Sequence, residues 1–158
     1  MSGVESESGE AVAGTGSVIT KLFSDLTAHE LHDILELRNI VFVVEQNCVY
    51  NDIDGRDVEP GTRHVWTEHD GKITSYLRVL CDGHDVSRIG RVVTHPESRG
   101  QGLAMQLLKS VISDVQGAIV LDAQAPLEAW YETFGFSRSG DGFLEDGIAH
   151  VPMRRERT

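Results

Sequence analysis

Residues 89–104 read Ile-Gly-Arg-Val-Val-Thr-His-Pro-Glu-Ser-Arg-Gly-Gln-Gly-Leu-Ala, and no other stretch narrows the choice of fold as far. A strand-forming run passes through a Pro-led turn into a helix that opens on two glycines. Gly100 and Gly102 remove side chains where a backbone must approach a ligand. The unpaired N–H groups of the first helical turn then face an anion from the positive end of the helix dipole. A diphosphate suits that arrangement. Charge patterning agrees: residues 88–109 hold Arg88, Arg91, Arg99 and Lys109 against Glu97 alone, a net +3 in a chain of net charge −11. Two common phosphate loops are excluded, because no Lys-Ser/Thr follows the glycines and the spacing is not Gly-x-Gly-x-x-Gly after a first βαβ strand.

The 158 residues, 40% of them hydrophobic, fit one compact domain with one core, burying roughly 70% of its unfolded surface. With 25 acids against 14 bases, the chain would be repelled by nucleic-acid phosphates and anionic lipid. No apolar run approaches the ~20 residues of a membrane span, and the opening residues are acidic where a targeting peptide would be basic. The expected setting is cytoplasmic, with no nucleic acid and no membrane. Cys48 and Cys81 are far apart and form no CxxC pattern, so free thiols are expected.

Residues 1–17 carry three acids, no base and no aromatic, which predicts a disordered acidic tail before a single domain over 18–158. Val18–Phe23 reads as a strand. Thr27 and Glu30 spell a capping box, and Leu31, Ile34, Leu35, Leu37 and Val41 keep helical spacing into Val44, predicting one long helix. Residues 45–59 are polar and acidic. Alternating runs at Arg63–His69 and Ile73–Leu80 flank Asp70-Gly71, a hairpin signal, and Arg88–Thr94 makes a third antiparallel strand. An amphipathic helix from Leu103 to Val115, a buried strand at Ala118–Asp122, a helix at about Leu127–Phe134 and a closing hairpin of Phe136–Ser139 with His150–Arg154 complete an α+β pattern.

Arg99-Gly100-Gln101-Gly102-Leu103-Ala104 matches R-x-x-G-x-A and resembles the acyl-CoA signature of the GNAT N-acetyltransferase superfamily. Downstream, Gln124 to Phe136, with Tyr131 four residues before Gly135-Phe136, resembles that superfamily's second motif. Residues 37–48, 52–57, 63–66, 89–93, 123–125 and 145–150 together resemble its ElaA-like branch, and the likeness spans about 20–155. It departs at Gln124, where many members have Asn. The resemblance implies a GNAT-type fold, a mixed, mostly antiparallel central sheet flanked by helices, with acetyl-CoA as cosubstrate. It assigns Val92, Val93 and Thr94 to the pantetheine arm, the backbone of Arg99, Gly100, Gln101, Gly102, Leu103 and Ala104 to the pyrophosphate, and Gln124 to an amide contact. It also implies an N–H near Val93 that polarises the thioester carbonyl, and Tyr131 as the acid that protonates the leaving thiolate.

Glu45, His64 and His150 are the candidates for a general base, and the residues do not choose among them. Glu45 ranks first because it ends a helix and opens the acidic loop. That loop, with Glu45, Asp52, Asp54, Asp57 and Glu59 against Arg56, reads either as a solvated segment or as a lure for a cationic amine. It is no EF-hand loop, since Tyr50 stands where a ligand is needed. Separately, His29 and His32 offer two metal ligands without a third, and this histidine spacing leads to an expectation of no metal. The expected activity is therefore acetyl transfer from acetyl-CoA to a primary amine, with a catalytically silent acyl-CoA-binding or regulatory domain as the alternative. The sequence leaves the acceptor open, and a homodimer with it.

Overall fold

The computed structural model describes residues 16–157. The predicted tail over 1–17 therefore falls almost wholly outside the described residues. Eight strands form one sheet in the order β1 (Ile19–Leu22), β2 (Arg63–His69), β3 (Lys72–Cys81), β4 (Val86–Thr94), β5 (Ala118–Gln124), β8 (Ile148–Arg155) and β6 (Ser137–Arg138), with β7 (Phe143–Glu145) also pairing with β8. All pairs are antiparallel except β4 with β5. This is the expected mixed, mostly antiparallel α+β sheet.

Local chemistry accounts for most elements. Asp70 and Gly71 both take positive φ, the geometry of a two-residue hairpin turn matched to strand twist. Helix α1 (Ala28–Arg38) starts at the capping box: Glu30 N–H donates to Thr27 Oγ1 at 3.0 Å, and Thr27 N–H donates to Glu30 Oε1 at 2.9 Å. It continues as a π-helical segment, Asn39–Glu45. The wider turn rotates the following side chains, so Val44 stands 67% exposed instead of continuing the apolar face. Helix α2 (Leu103–Asp114) buries Leu103, Leu107, Leu108 and Val111.

The sheet separates two apolar clusters. On one face, α2 and the short α3 (Glu128–Glu132) pack Leu107, Leu108, Tyr131 and Phe136 against Leu77, Val79, Ile89 and Met153. On the other, Ile34, Leu37 and Val41 of the first helix cover Trp66, Tyr76 and Val93. The predicted closing hairpin is differently built. Asp146 and Gly147, both at positive φ, turn β7 into β8, and Phe136–Ser139 contributes only the two-residue β6.

Candidate active site

The parallel pair β4 and β5 is joined only from Val86–Arg88 to Ala118–Val120. Beyond Arg88 the two strands part, and the backbone of residues 89–94 faces a gap on its β5 side. A bulge adds to the divergence: Gly90 pairs with Arg78 and Val93 with Tyr76, so Arg91 and Val92 both stand opposite Leu77. Arg91 has φ +55°, a left-handed conformation that costs an L-residue roughly 1–2 kcal/mol. A bulge of this kind takes backbone groups off the ladder and re-aims them.

A cavity of about 610 Å³ fills the gap. Strand β4 lines it from Ile89 to Thr94, and Leu121, Gln124, Trp130, Tyr131 and His150 line the opposite wall. Arg99 and Ala104 close one end, while Cys48, Tyr50, Asp54 and Arg78 reach it from the other. Seven of the residues singled out in the sequence thus border one space: Val92, Val93, Thr94, Arg99, Ala104, Gln124 and Tyr131. Gly100, Gln101, Gly102 and Leu103 continue the loop at the helix start. Gly100 and Gly102 have φ +81° and +73°, and a Cβ added at Gly100 would meet nothing within 4 Å. A loop that exposes backbone N–H groups to open space at a helix N-terminus fits a pyrophosphate.

The arginines of the basic island are not free to supply that charge. Arg88 pairs with Asp82 and Asp122, and Arg91 with Asp52 and Asp54. Arg99 holds both carboxylate oxygens of Glu45, at 2.6 and 2.8 Å. With these side chains paired, an anion at the glycine loop would be met by backbone N–H groups.

Two sequence candidates for the base, His64 and Glu45, do not line the cavity. His64 is fully buried and away from the cavity, its Nδ1 2.8 Å from the Tyr76 hydroxyl and its Nε2 3.0 Å from the Asp57 carbonyl. Burial pushes its pKa down, so the ring stays neutral and packed in the core. Glu45 is turned by the π-helical segment toward Arg99, and that hydrogen-bonded guanidinium lowers its pKa, which weakens it as a base. His150 does line the cavity. Its Nδ1 lies 2.8 Å from the Ile148 carbonyl, and since a carbonyl only accepts, Nδ1 is the donor. Phe143 stacks on the ring at 5.7 Å.

Tyr131 is 5% exposed, set edge-on to Trp130 and Phe136. Burial pushes its pKa up to about 12, so the phenol holds its proton at neutral pH. No pattern in the sequence pointed to Tyr50, Arg78 or Trp130 as cavity residues.

The acidic loop is exposed along much of its length, but its carboxylates are paired and do not form a free lure. Asp52 and Asp57 are buried, and wholly buried Arg38 donates Nε to Asp52 Oδ2 at 2.9 Å and Nη1 to Asp57 Oδ1 at 2.8 Å. Arg78 binds Asp54 through Nη1 at 2.9 Å and Nη2 at 2.6 Å, and reaches Asp57 at 3.1 Å. Arg56 pairs with Glu59. The carboxylates that line the cavity without an ion-pair partner among the described residues are Glu145 and Asp146, on the β7–β8 turn.

A family model described as an acetyltransferase (GNAT) domain matches residues 27–157. A UPF0039 protein of Mycobacterium tuberculosis H37Rv is 48% identical over 136 residues, covering 83% of this chain and 87% of that protein. Protein ElaA of Escherichia coli K12 is 36% identical over 140 residues, 84% of this chain and 92% of that one. A crystal structure of an acyl-CoA N-acyltransferase from Pseudomonas aeruginosa superposes with a TM-score of 0.83 at 38% identity, covering 88% of this chain and 99% of that one.

Proposed function

The chain belongs to the GNAT acetyltransferase family, in its ElaA-like branch, and from that premise we propose that it moves an acetyl group from acetyl-CoA directly to a primary amine. The observation that carries this reading is the parting of β4 from β5 beyond Arg88, with the glycine loop at one end of the gap and Tyr131 and His150 on its far wall. Acetyl-CoA bound there supplies a thioester. The unpaired edge of Val92–Thr94 offers hydrogen bonds to its pantetheine arm, and N–H groups 100–104 offer them to its pyrophosphate. An N–H at the bulge, at Val92 or Val93, stabilises negative charge developing on the acyl oxygen. His150 Nε2 takes a proton from the acceptor ammonium, directly or through water, so that the free amine attacks; Tyr131 gives its proton to the departing sulfur, and the second proton shed by the nitrogen as the amide forms restores the phenol. One C–N bond forms and one C–S bond breaks, with no covalent bond to the protein. Glu145 and Asp146, in place of loop 45–59, favour a cationic acceptor.

A panel of small amines, polyamines and lysyl peptides with acetyl-CoA tests this, read as free thiol released and acetylated product. Amine-dependent thiol release is the expected result. Thermal stabilisation by acetyl-CoA without turnover of any amine would leave a silent acyl-CoA-binding domain, and no stabilisation at millimolar acetyl-CoA would remove both readings.

A further inference from the structure

Among the described residues, five other than glycine have positive φ, and four of them are Asn or Asp: Asn47, Asp70, Asp85 and Asp146. Those residue types tolerate the left-handed region because their short side chains bond locally. Arg91 is the exception, and it sits in the bulge of β4. Its own side chain gives no local compensation, so something outside the strand must hold it.

The loop between α1 and β2 does so. Arg91 Nε lies 2.8 Å from Asp52 Oδ1 as an ion-pair contact, and Nη2 donates to the Asp52 carbonyl at 3.0 Å and to Asp54 Oδ2 at 3.4 Å. The guanidinium lies over the Tyr50 ring, 5.6 Å from its centroid. Asp52 is itself fixed, by Arg38 Nε at 2.9 Å and by the Tyr50 hydroxyl at 2.6 Å. A chain of short contacts therefore runs from the buried face of α1 through Asp52 to the one strained residue of β4.

We propose that Arg91 is a positioning residue: clamped by Asp52, it holds β4 in its bulged form so that the backbone N–H of Val92 or Val93 faces the cleft. The catalytic consequence rests on the acetyltransferase reading above; the conformational claim does not. The carboxylates of loop 50–54 act on the rate of the chemical step through the backbone, and leave acceptor affinity to other residues.

Two substitutions in the full-length chain separate the clamp from a mere loop tether. Arg91→Ala loses the clamp and keeps the left-handed penalty, so kcat should fall on the order of tenfold while KM for acetyl-CoA stays within about twofold. Arg91→Gly loses the same clamp, yet glycine adopts positive φ freely, so kcat should return most of the way to wild type. A tether would be cut equally by both substitutions. Equal kcat values for Ala and Gly would overturn the proposal. Backbone chemical shifts of Gly90, Val92 and Val93 give a readout that needs no turnover: they should move toward extended-strand values in Arg91→Ala and keep wild-type values in Arg91→Gly. Unmoved shifts in Arg91→Ala would overturn the proposal as well. Failure of the wild-type chain to acetylate any amine, with the shifts behaving as expected, would count against the acetyltransferase reading alone.

Discussion

Tyr131 and His150, the proposed acid and base, reach the cleft from different elements, α3 and β8. The apolar surroundings push the phenol pKa up to about 12 and the Ile148 carbonyl accepts from His150 Nδ1; the proposed reaction uses Tyr131 as the acid and His150 Nε2 as the base. Tyr131→Phe should lower kcat on the order of a hundredfold with little change in acetyl-CoA affinity, read by steady-state kinetics and cofactor titration. Wild-type turnover in that variant would remove Tyr131 from its role. His150→Gln should lower kcat with little change in acetyl-CoA affinity; an unchanged kcat would mean that another group or water takes the proton. At this scale the residue types were legible and their placement was not. A histidine on an alternating strand such as His64 faces either a core or a cleft, and the choice depends on what packs over it. Here it is Tyr76 and the Asp57 carbonyl.

Elements whose signals lie within a few residues follow the sequence closely. The capping box, the Asp70-Gly71 hairpin and the glycine start of α2 all form as expected, because each depends on short-range backbone chemistry. Asp146-Gly147 carries the same two-residue turn signal and makes the β7–β8 hairpin, although Phe136–Ser139 reads as a fuller strand than the two residues that pair. The π-helical segment has no such signature, and it decides that Glu45 meets Arg99. For the glycine loop, Gly100→Ala should weaken acetyl-CoA binding about tenfold, since the new Cβ projects into the space left open beside the loop. The positive φ adds strain of about 1 kcal/mol, a few degrees in Tm for a domain this size. Calorimetric titration and a melting curve separate the two effects; unchanged affinity with a lowered Tm would make the loop purely structural.

Across the whole molecule, Arg38, Arg78 and Arg91 meet Asp52, Asp54 and Asp57 in one network that ties α1, β3 and β4 to loop 50–58. Removing one partner of such a buried set leaves an uncompensated charge, so Arg38→Ala should cost about 3–5 kcal/mol in urea unfolding. The network also sets an acid limit. Hydrogen bonding by Arg78 lowers the Asp54 pKa, and for Asp57 burial would raise it but Arg38 and Arg78 outweigh burial. A carboxylate with a lowered folded-state pKa stabilises fully above its unfolded value, near 3.8, and that stability is lost as pH falls through the folded value. The urea midpoint should therefore drop below about pH 4, with a shallower slope in Asp54→Asn; identical slopes would show that Asp54 contributes nothing to acid sensitivity.

The amino-acid order alone determined most of the strands, the helix starts, the Asp70-Gly71 turn and the glycine loop, and with them the family pattern, because those signals act between residues a few positions apart; the π-helical segment and the closing hairpin were not legible in it. Tertiary structure alone decided what the charges do. Arg38 lies 14 and 19 positions from Asp52 and Asp57, and Glu45 lies 54 from Arg99. Whether such pairs form depends on how the helices pack on the sheet. A local count sees a basic island and an acidic lure; packing pairs Arg91 and Arg99 with acids of the loop, brings Arg38 and Arg78 from outside the island to the rest, and leaves Glu145 and Asp146 at the cavity wall.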